Sequence, residues 1–233
     1  MLRRTATLAS TALSAALVLG ACSGGGGSDE VRLTPDKAVA VAKNKLDDTS
    51  GVHLALASKG LADGQTGVVS ADGVLTRAPA FDGSIVVRIA GLEPEVPVVA
   101  VDGKVYAQLP LTTGWQDIDP GDYGAPNPSD LMSPQHGLSS MLTATTGLTK
   151  GDSVRGGAGN KEVLTSYAGT LPASSAAVIV PTVAGDVHAT YRLTSDNELR
   201  QAVLTGDFYG TGEDETYTVT VDSYGTQKDI KAP

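Results

Sequence analysis

The hydrophobic and polar positions along this chain change period several times, and each change marks an element. After the basic start Met1-Leu2-Arg3-Arg4, an apolar run from about Leu8 to Leu19 carries no charge. It is too short to cross a bilayer comfortably as a mature helix. A glycine-rich polar stretch, Ser23 to Glu30, comes next. Thr34-Pro35-Asp36 then has the chemistry of a helix start, with a side-chain oxygen at the N-cap, proline at the first helical position and an acid in the first turn. Val39, Ala42 and Leu46 recur at helical spacing with the lysines largely off that stripe, so a helix is predicted to end before Thr49-Ser50-Gly51.

From His53 to Leu109 the period falls to two. Asp63-Gly64, Asp72-Gly73, Asp82-Gly83 and Asp102-Gly103 punctuate it, and Asp-Gly favours the positive φ of tight hairpins. An antiparallel meander is predicted, with strands at about 52–60, 66–77, 83–91, 95–102 and 104–109. Arg88 is expected to face water, which turns Ile85, Val87 and Ile89 to the opposite, apolar face. The Asp102-Gly103 turn pairs Ala100 with Val105 and Val98 with Ala107 on the face that is the better candidate for the interior.

Prolines at 120, 126, 128 and 134 rule out a long helix or central strand between Gly114 and Pro134, so that stretch is predicted as an ordered crossing loop. Ser133-Pro134 is read as a helix cap, with Leu138, Met141 and Leu142 as the buried stripe and Gly147 as the stop. Strands are predicted again at about 151–156 and 161–169. A short helix should follow from Pro172 until Pro181 stops it, and then strands at 185–194, 198–208 and 214–224. In the last of these, Tyr217, Val219 and Val221 form the core face and the threonines the other.

Composition narrows the class. Aromatic residues make up 4% while 41% are hydrophobic, so the interior is built mainly of Ala, Val, Leu and Ile. Such side chains pack well in sheets and can equally line a cavity that makes no directional demands on its contents. The formal charge is -9, and removal of residues 1–21, which hold Arg3 and Arg4 and no acid, makes it -11. That surface repels phosphate backbones and anionic headgroups, which excludes nucleic acid as a partner and electrostatic membrane binding. Cys22 is the single cysteine, so the fold is not a disulfide scaffold.

Catalytic and metal chemistry find no convergent groups. His53, His136 and His188 are scattered, without zinc-type spacing. Gly151-Asp152-Ser153 lacks the downstream Asp-x-x-His of a lipase, and no Gly-x-Ser-x-Gly elbow exists. Gly156-Gly157-Ala158-Gly159-Asn160-Lys161 has the glycines of a phosphate loop without its final glycine or its Ser/Thr, and is read as a hairpin turn. Glu213-Asp214-Glu215 is read as a solvated loop. No catalytic residue, metal site or cofactor is expected, and the chain is read as a non-enzyme.

Leu19-Gly20-Ala21-Cys22 matches the bacterial lipobox, in which the cysteine is acylated and becomes the new N-terminus. Residues 1–21 are thus read as signal peptide, 22–32 as lipidated Cys22 and flexible linker, and 33–233 as one domain. The order lipobox, tether, helix, Asp-Gly meander ending in Val101-Asp102-Gly103-Lys104-Val105-Tyr106-Ala107, Trp115-Gln116-Asp117, proline-rich crossing, Gly137-Leu138-Ser139-Ser140-Met141-Leu142 and closing Val221-Asp222-Ser223-Tyr224-Gly225 resembles the actinobacterial LppX/LprA-F-G lipoprotein family, most closely its LprG branch.

The resemblance implies an α+β fold: a curved antiparallel half-barrel with helices on its concave face around a hydrophobic cavity, similar to LolA/LolB-type lipoprotein carriers. It implies a cargo of acylated lipid or glycolipid, such as phosphatidylinositol mannoside, lipoarabinomannan, triacylglycerol or a phthiocerol-type wax, carried towards the outer envelope, in some members alongside a membrane exporter. The protein would be exported and held by its lipid on the outer face of the cytoplasmic membrane. Candidate cavity residues are Ile85, Val87 and Ile89, with Val98, Ala100, Val105, Ala107, Leu138, Met141 and Leu142. A lipid-anchored adaptor with a solid core, holding an exporter or a cell-wall enzyme at the membrane, is the alternative.

Overall fold

The computed structural model describes residues 33–233; the signal sequence, Cys22 and the linker expected at 1–32 lie outside the described residues. Helix α1 (Pro35–Asp48) starts as its sequence requires: Thr34 caps it by accepting from the Lys37 N–H, and Ala38, Val39, Ala42 and Leu46 are buried. Eleven strands follow in one antiparallel sheet: β1 (Gly51–Lys59), β2 (Gly67–Thr76), β3 (Ala80–Arg88), β4 (Glu95–Val101), β5 (Lys104–Ala107), β6 (Gln116–Ile118), β7 (Thr146–Gly156), β8 (Glu162–Leu171), β9 (Val187–Leu193), β10 (Leu199–Gly206) and β11 (Glu215–Asp222). Their spatial order is β6-β5-β4-β3-β2-β1-β11-β10-β9-β8-β7, so the first and last strands meet at the centre and both edges are formed mid-chain.

The sheet is curved and open, and one face carries the core. Leu54, Leu56, Leu75, Phe81, Val98, Ala100, Val105 and Ala107 on one half, and Leu171, Tyr191, Leu193, Ala202, Leu204, Tyr217, Val219 and Val221 on the other, are all buried. Over β7 to β10 lie α1, α2 (Leu138–Ala144) and the single turn α3 (Ala173–Ala176). Here the contact is fixed by polar bonds as well as burial. Tyr191 of β9 shares a 2.7 Å hydrogen bond with Thr145 and donates to the Met141 carbonyl, while Ser139 donates to Asp47 of α1, whose carboxylate also holds Lys43. Burial pushes the Tyr191 phenol far above its ordinary range, so it stays neutral and keeps its proton for that bond.

Several expectations need correcting. Asp72-Gly73 and Asp82-Gly83 are not turns: they sit mid-strand, with Gly73 opposite Gly83, and the hairpin between β2 and β3 is at Arg77-Ala78-Pro79. The reason is Phe81, whose ring would be 2.6 Å from a Cβ on Gly73 and 2.8 Å from one on Gly83, so these glycines clear space for an aromatic ring lying along the sheet. The other two Asp-Gly pairs do sit in connections, Asp102-Gly103 with both φ values positive. Helix α2 begins at Leu138 rather than at Pro134, because Ser133 spends its hydroxyl on the His136 N–H and its carbonyl on Gly137 in a preceding turn. Strand β7 begins five residues before its expected start, and an extra edge strand, β6, forms where a loop was expected.

Candidate functional site

The proline-rich crossing between β6 and α2 lies across the other half of the concave face. Two 3-10 turns give it shape, Pro120–Tyr123 capped by Asp119 and Pro128–Met132 capped by Asn127, and the second passes over β2, β3 and β4. Beneath it runs an apolar crevice. Its floor is Ile85, Val87 and Ile89 of β3 and the residue following it, Val96 and Val98 of β4, and Val105 and Ala107 of β5; its roof is Pro120, Tyr123, Ala125, Pro126 and Pro128. Among its lining residues no side chain is charged, and only Tyr123 brings a hydroxyl. A second crevice continues from it under the same roof, sharing Ile85, Ala125, Pro126 and Pro128 and ending against Phe81, Leu131 and Ile179.

The open space is small, about 60 Å³ in the first crevice and about 40 Å³ in the second. A single water needs about 10–15 Å³ of such space, so each holds only a short stretch of hydrocarbon as the strap now lies. The strap is nevertheless loosely tied. The hydrogen bonds of residues 119 to 129 close within the segment or on Asp130 next to it, as in Asn127 accepting from the Ser129 N–H and hydroxyl, or Ala125 donating to the Pro120 carbonyl. Apart from apolar contact, its second turn is tied to the sheet by the Arg77 guanidinium donating to the Met132 carbonyl at 3.3 Å, and residues 119 to 129 can lift without breaking a ladder bond.

Of the sequence-based candidates, the structure brings together Ile85, Val87, Ile89, Val98, Val105 and Ala107 around the crevice. Arg88, on the opposite face, is paired with Glu93 at 2.6 Å and donates to the Leu61 carbonyl, so it is half-buried rather than free in water. Ala100 is buried opposite Phe81 and Val105, outside the crevice lining. Leu138, Met141 and Leu142 are buried in the helix-covered half, and none lines either crevice. The residues that sequence reasoning misses are Val96 in the floor and the roof: Pro120, Ala125, Pro126 and Pro128 fall in the predicted crossing loop, and proline density gives no sign of which surface a loop covers.

Among the described residues no group of three or more His, Cys, Asp or Glu side chains is placed to hold a metal ion, and no helix is long and apolar enough to cross a membrane. His188 is exposed on β9 and the Gly156–Lys161 segment is the β7–β8 turn. Glu213 and Asp214 are exposed, but Glu215 is buried, with Oε2 accepting from the Phe208 N–H at 2.9 Å, which corrects the reading of that acidic run as wholly solvated.

A curved antiparallel sheet whose concave face is roofed partly by helices and partly by a strap over an uncharged groove defines an open half-barrel fold. The LprF protein of Mycobacterium bovis superposes with a TM-score of 0.70 at 14% identity, over 85% of this chain and 96% of that one. The lipoprotein LppX of Mycobacterium tuberculosis superposes at 0.62 and 18% identity, over 84% of this chain and 98% of that one. No curated protein sequence matches the chain. The model of the LppX/LprAFG lipoproteins matches residues 34–232, and the chain belongs to that family.

Proposed function

We propose that the protein is a membrane-anchored carrier that takes the acyl chains of a lipid or glycolipid into the groove between β3–β5 and the strap. The observation that carries this is the uncharged lining of the groove in a chain of a lipoprotein family. Each acyl CH₂ withdrawn from water contributes about 0.8 kcal/mol, so a chain buried there binds without polar contacts. Such a site selects poorly among lipids, which leaves phosphatidylinositol mannoside, lipoarabinomannan and triacylglycerol all as chemically suitable cargo. Cys22, acylated after signal removal, holds the domain at the outer face of the cytoplasmic membrane, where cargo is loaded or passed to an exporter. Residues 33–233 act as the one cargo-binding domain.

The groove volume of about 60 Å³ is the one observation favouring the adaptor reading, in which the protein carries nothing and holds another protein at the membrane. Mass spectrometry of the protein purified from its native membrane separates the two. The carrier yields a stoichiometric acylated lipid in addition to the acyl groups on Cys22; protein that is repeatedly free of such a lipid refutes the carrier.

A further inference from the structure

Three connections lie at the same end of the sheet. Gly67 of β2 pairs with Arg88 of β3, Val86 with Glu95, and Gln108 donates to the Pro97 carbonyl, so the 60–66, 89–94 and 108–115 segments share one rim. The groove reaches that rim through Ile89, Pro94, Leu109 and Pro110. From it project the two most exposed large hydrophobic side chains of the described residues, Leu92 at 71% exposure and Leu111, which is completely exposed.

The backbone holds both outward. Leu92 closes a two-residue turn, exchanging 2.9 Å bonds with Ile89 around Ala90 and Gly91, both at positive φ. Leu111 is the more informative. The Thr112 N–H donates to the Leu109 carbonyl across Pro110-Leu111, and Leu111 has φ of 66°, the sign a type II turn needs at its third residue. Glycine takes that conformation freely and leucine does not. A strained leucine that buries nothing in the fold points to a use outside it.

The chain also enters the domain at this end. Helix α1 runs into β1 at the far end, and its Asp47 meets the first turn of α2, which leads up to Thr146, opposite Thr170 at the rim end of β8. The first residue of α1 is therefore carried back toward the rim. From Cys22 to Arg32 are eleven residues, which can span at most about 40 Å.

We propose that this rim is a membrane-docking surface: Leu92 and Leu111 enter the outer part of a phospholipid leaflet, with half-buried Trp115 at headgroup level, and set the groove's mouth against it. The proposal deepens the carrier reading by giving its site a donor surface, and it shares with that reading the anchor at Cys22. Docking is by burial. Glu95 is exposed at the rim, and of the basic residues there Arg88 is already paired to Glu93 and Lys59 stands singly at the end of β1, so no basic cluster attracts anionic headgroups.

Trp115 is the chain's single tryptophan and reports directly. The full chain, purified from membranes, is reconstituted in phosphatidylcholine vesicles whose acyl chains carry bromine. Trp115 emission should fall at least twofold relative to plain vesicles, and a Leu92→Asp/Leu111→Asp double variant should restore it while still floating with the vesicles and melting at the same temperature. Equal emission in both vesicles overturns the proposal. So does quenching that persists in the double variant, which places the bromine in the groove rather than the leaflet, or a self-association lost in that variant, which makes the rim a contact between copies. Raising salt from about 50 to about 500 mM should leave quenching intact, and its loss overturns burial as the cause. Lipid recovery is read separately: quenching with no recovered cargo sinks the carrier and leaves docking standing, and cargo without quenching does the reverse.

Discussion

Ile85 is the position at which the carrier reading is most exposed to refutation. Its side chain lines both crevices, is only half-buried, and lies directly under Ala125, Pro126 and Pro128. Replacing it by tryptophan fills the junction of two spaces of about 60 and 40 Å³ and blocks passage between them. An acyl chain cut short by six methylenes loses roughly 5 kcal/mol of burial at 0.8 kcal/mol each, three to four decades in affinity. The fold loses much less. Overpacking costs about 1–3 kcal/mol in a closed core, and here the added ring enters open space under a strap that can yield, which puts the cost near the lower bound, against a domain stability of about 5–15 kcal/mol. Ile85→Trp is therefore expected to melt cooperatively within a few degrees of the parent while the lipid recovered by mass spectrometry falls to background. Undiminished recovery with an unchanged melt would mean that the acyl chains lie elsewhere, and the groove assignment would be wrong.

Four further outcomes follow from individual contacts. Glu215→Ala strands the buried Phe208 N–H and is expected to cost about 1–3 kcal/mol in urea unfolding, while Glu215→Gln, which still offers an acceptor, recovers most of it. Gly83→Ala places a Cβ 2.1 Å from the Asp72 carbonyl oxygen and 2.6 Å from the Gly73 Cα, so β2 and β3 must separate at a cost of about 3 kcal/mol or more; Gly185→Ala meets nothing within 4 Å and should be neutral. Gly124 ends the first 3-10 turn of the strap at φ of 66°, so Gly124→Ala should cost about 1–2 kcal/mol locally and speed release of bound lipid, measured by transfer to acceptor vesicles, with little change in melting. Burial holds the Tyr191, Tyr217 and Tyr224 phenols above their ordinary range, so the neutral form is favoured in the fold. Their stabilisation is complete below about pH 10 and is lost as pH rises through the folded values; phenolate absorbance should therefore show these three ionising only together with loss of structure.

How far the sequence could be read depended on whether a residue's role was set by its neighbours along the chain or by something arriving from elsewhere. Thr34-Pro35-Asp36, the Val39-Ala42-Leu46 stripe and the alternation of Tyr217, Val219 and Val221 are local statements, and the elements form where those patterns lie. The Asp102-Gly103 hairpin gives its register at once, with Val98 opposite Ala107 and Ala100 opposite Val105. Gly73 and Gly83 could not be read in this way, because their reason is the Phe81 ring, which lies across the strand pairing from Gly73 and folds back over Gly83, and an Asp-Gly pair has the same letters whether it bends the chain or makes room for a ring. Glu215 is of the same kind: its partner is a backbone N–H seven residues earlier, invisible in a run of acids. The groove was half legible, since alternation identifies its floor and nothing in the chain identifies its roof.

Apart from Ala100, which is buried outside the crevice lining, the ten candidate cavity residues divide along a physical boundary. Leu138, Met141 and Leu142 belong to the half where helices meet β7 to β10, and that half is bonded shut by Tyr191 to Thr145 and Met141, and by Ser139 to Asp47. Ile85, Val87, Ile89, Val98, Val105 and Ala107 belong to the half roofed by residues 119 to 129, where no hydrogen bond joins roof to floor among those described. An apolar groove too small for its cargo can serve a carrier only if it opens, and opening is cheap where contact is apolar and reversible and expensive where buried polar groups would be stranded. Expansion is therefore confined to the β1–β6 half. Backbone amides of the strap should exchange with solvent faster than those of α2, and lipid loading should protect the strap while leaving α2 unchanged. Loading that instead alters exchange at Met141 and Tyr191 would place the cargo under the helices and reverse the division.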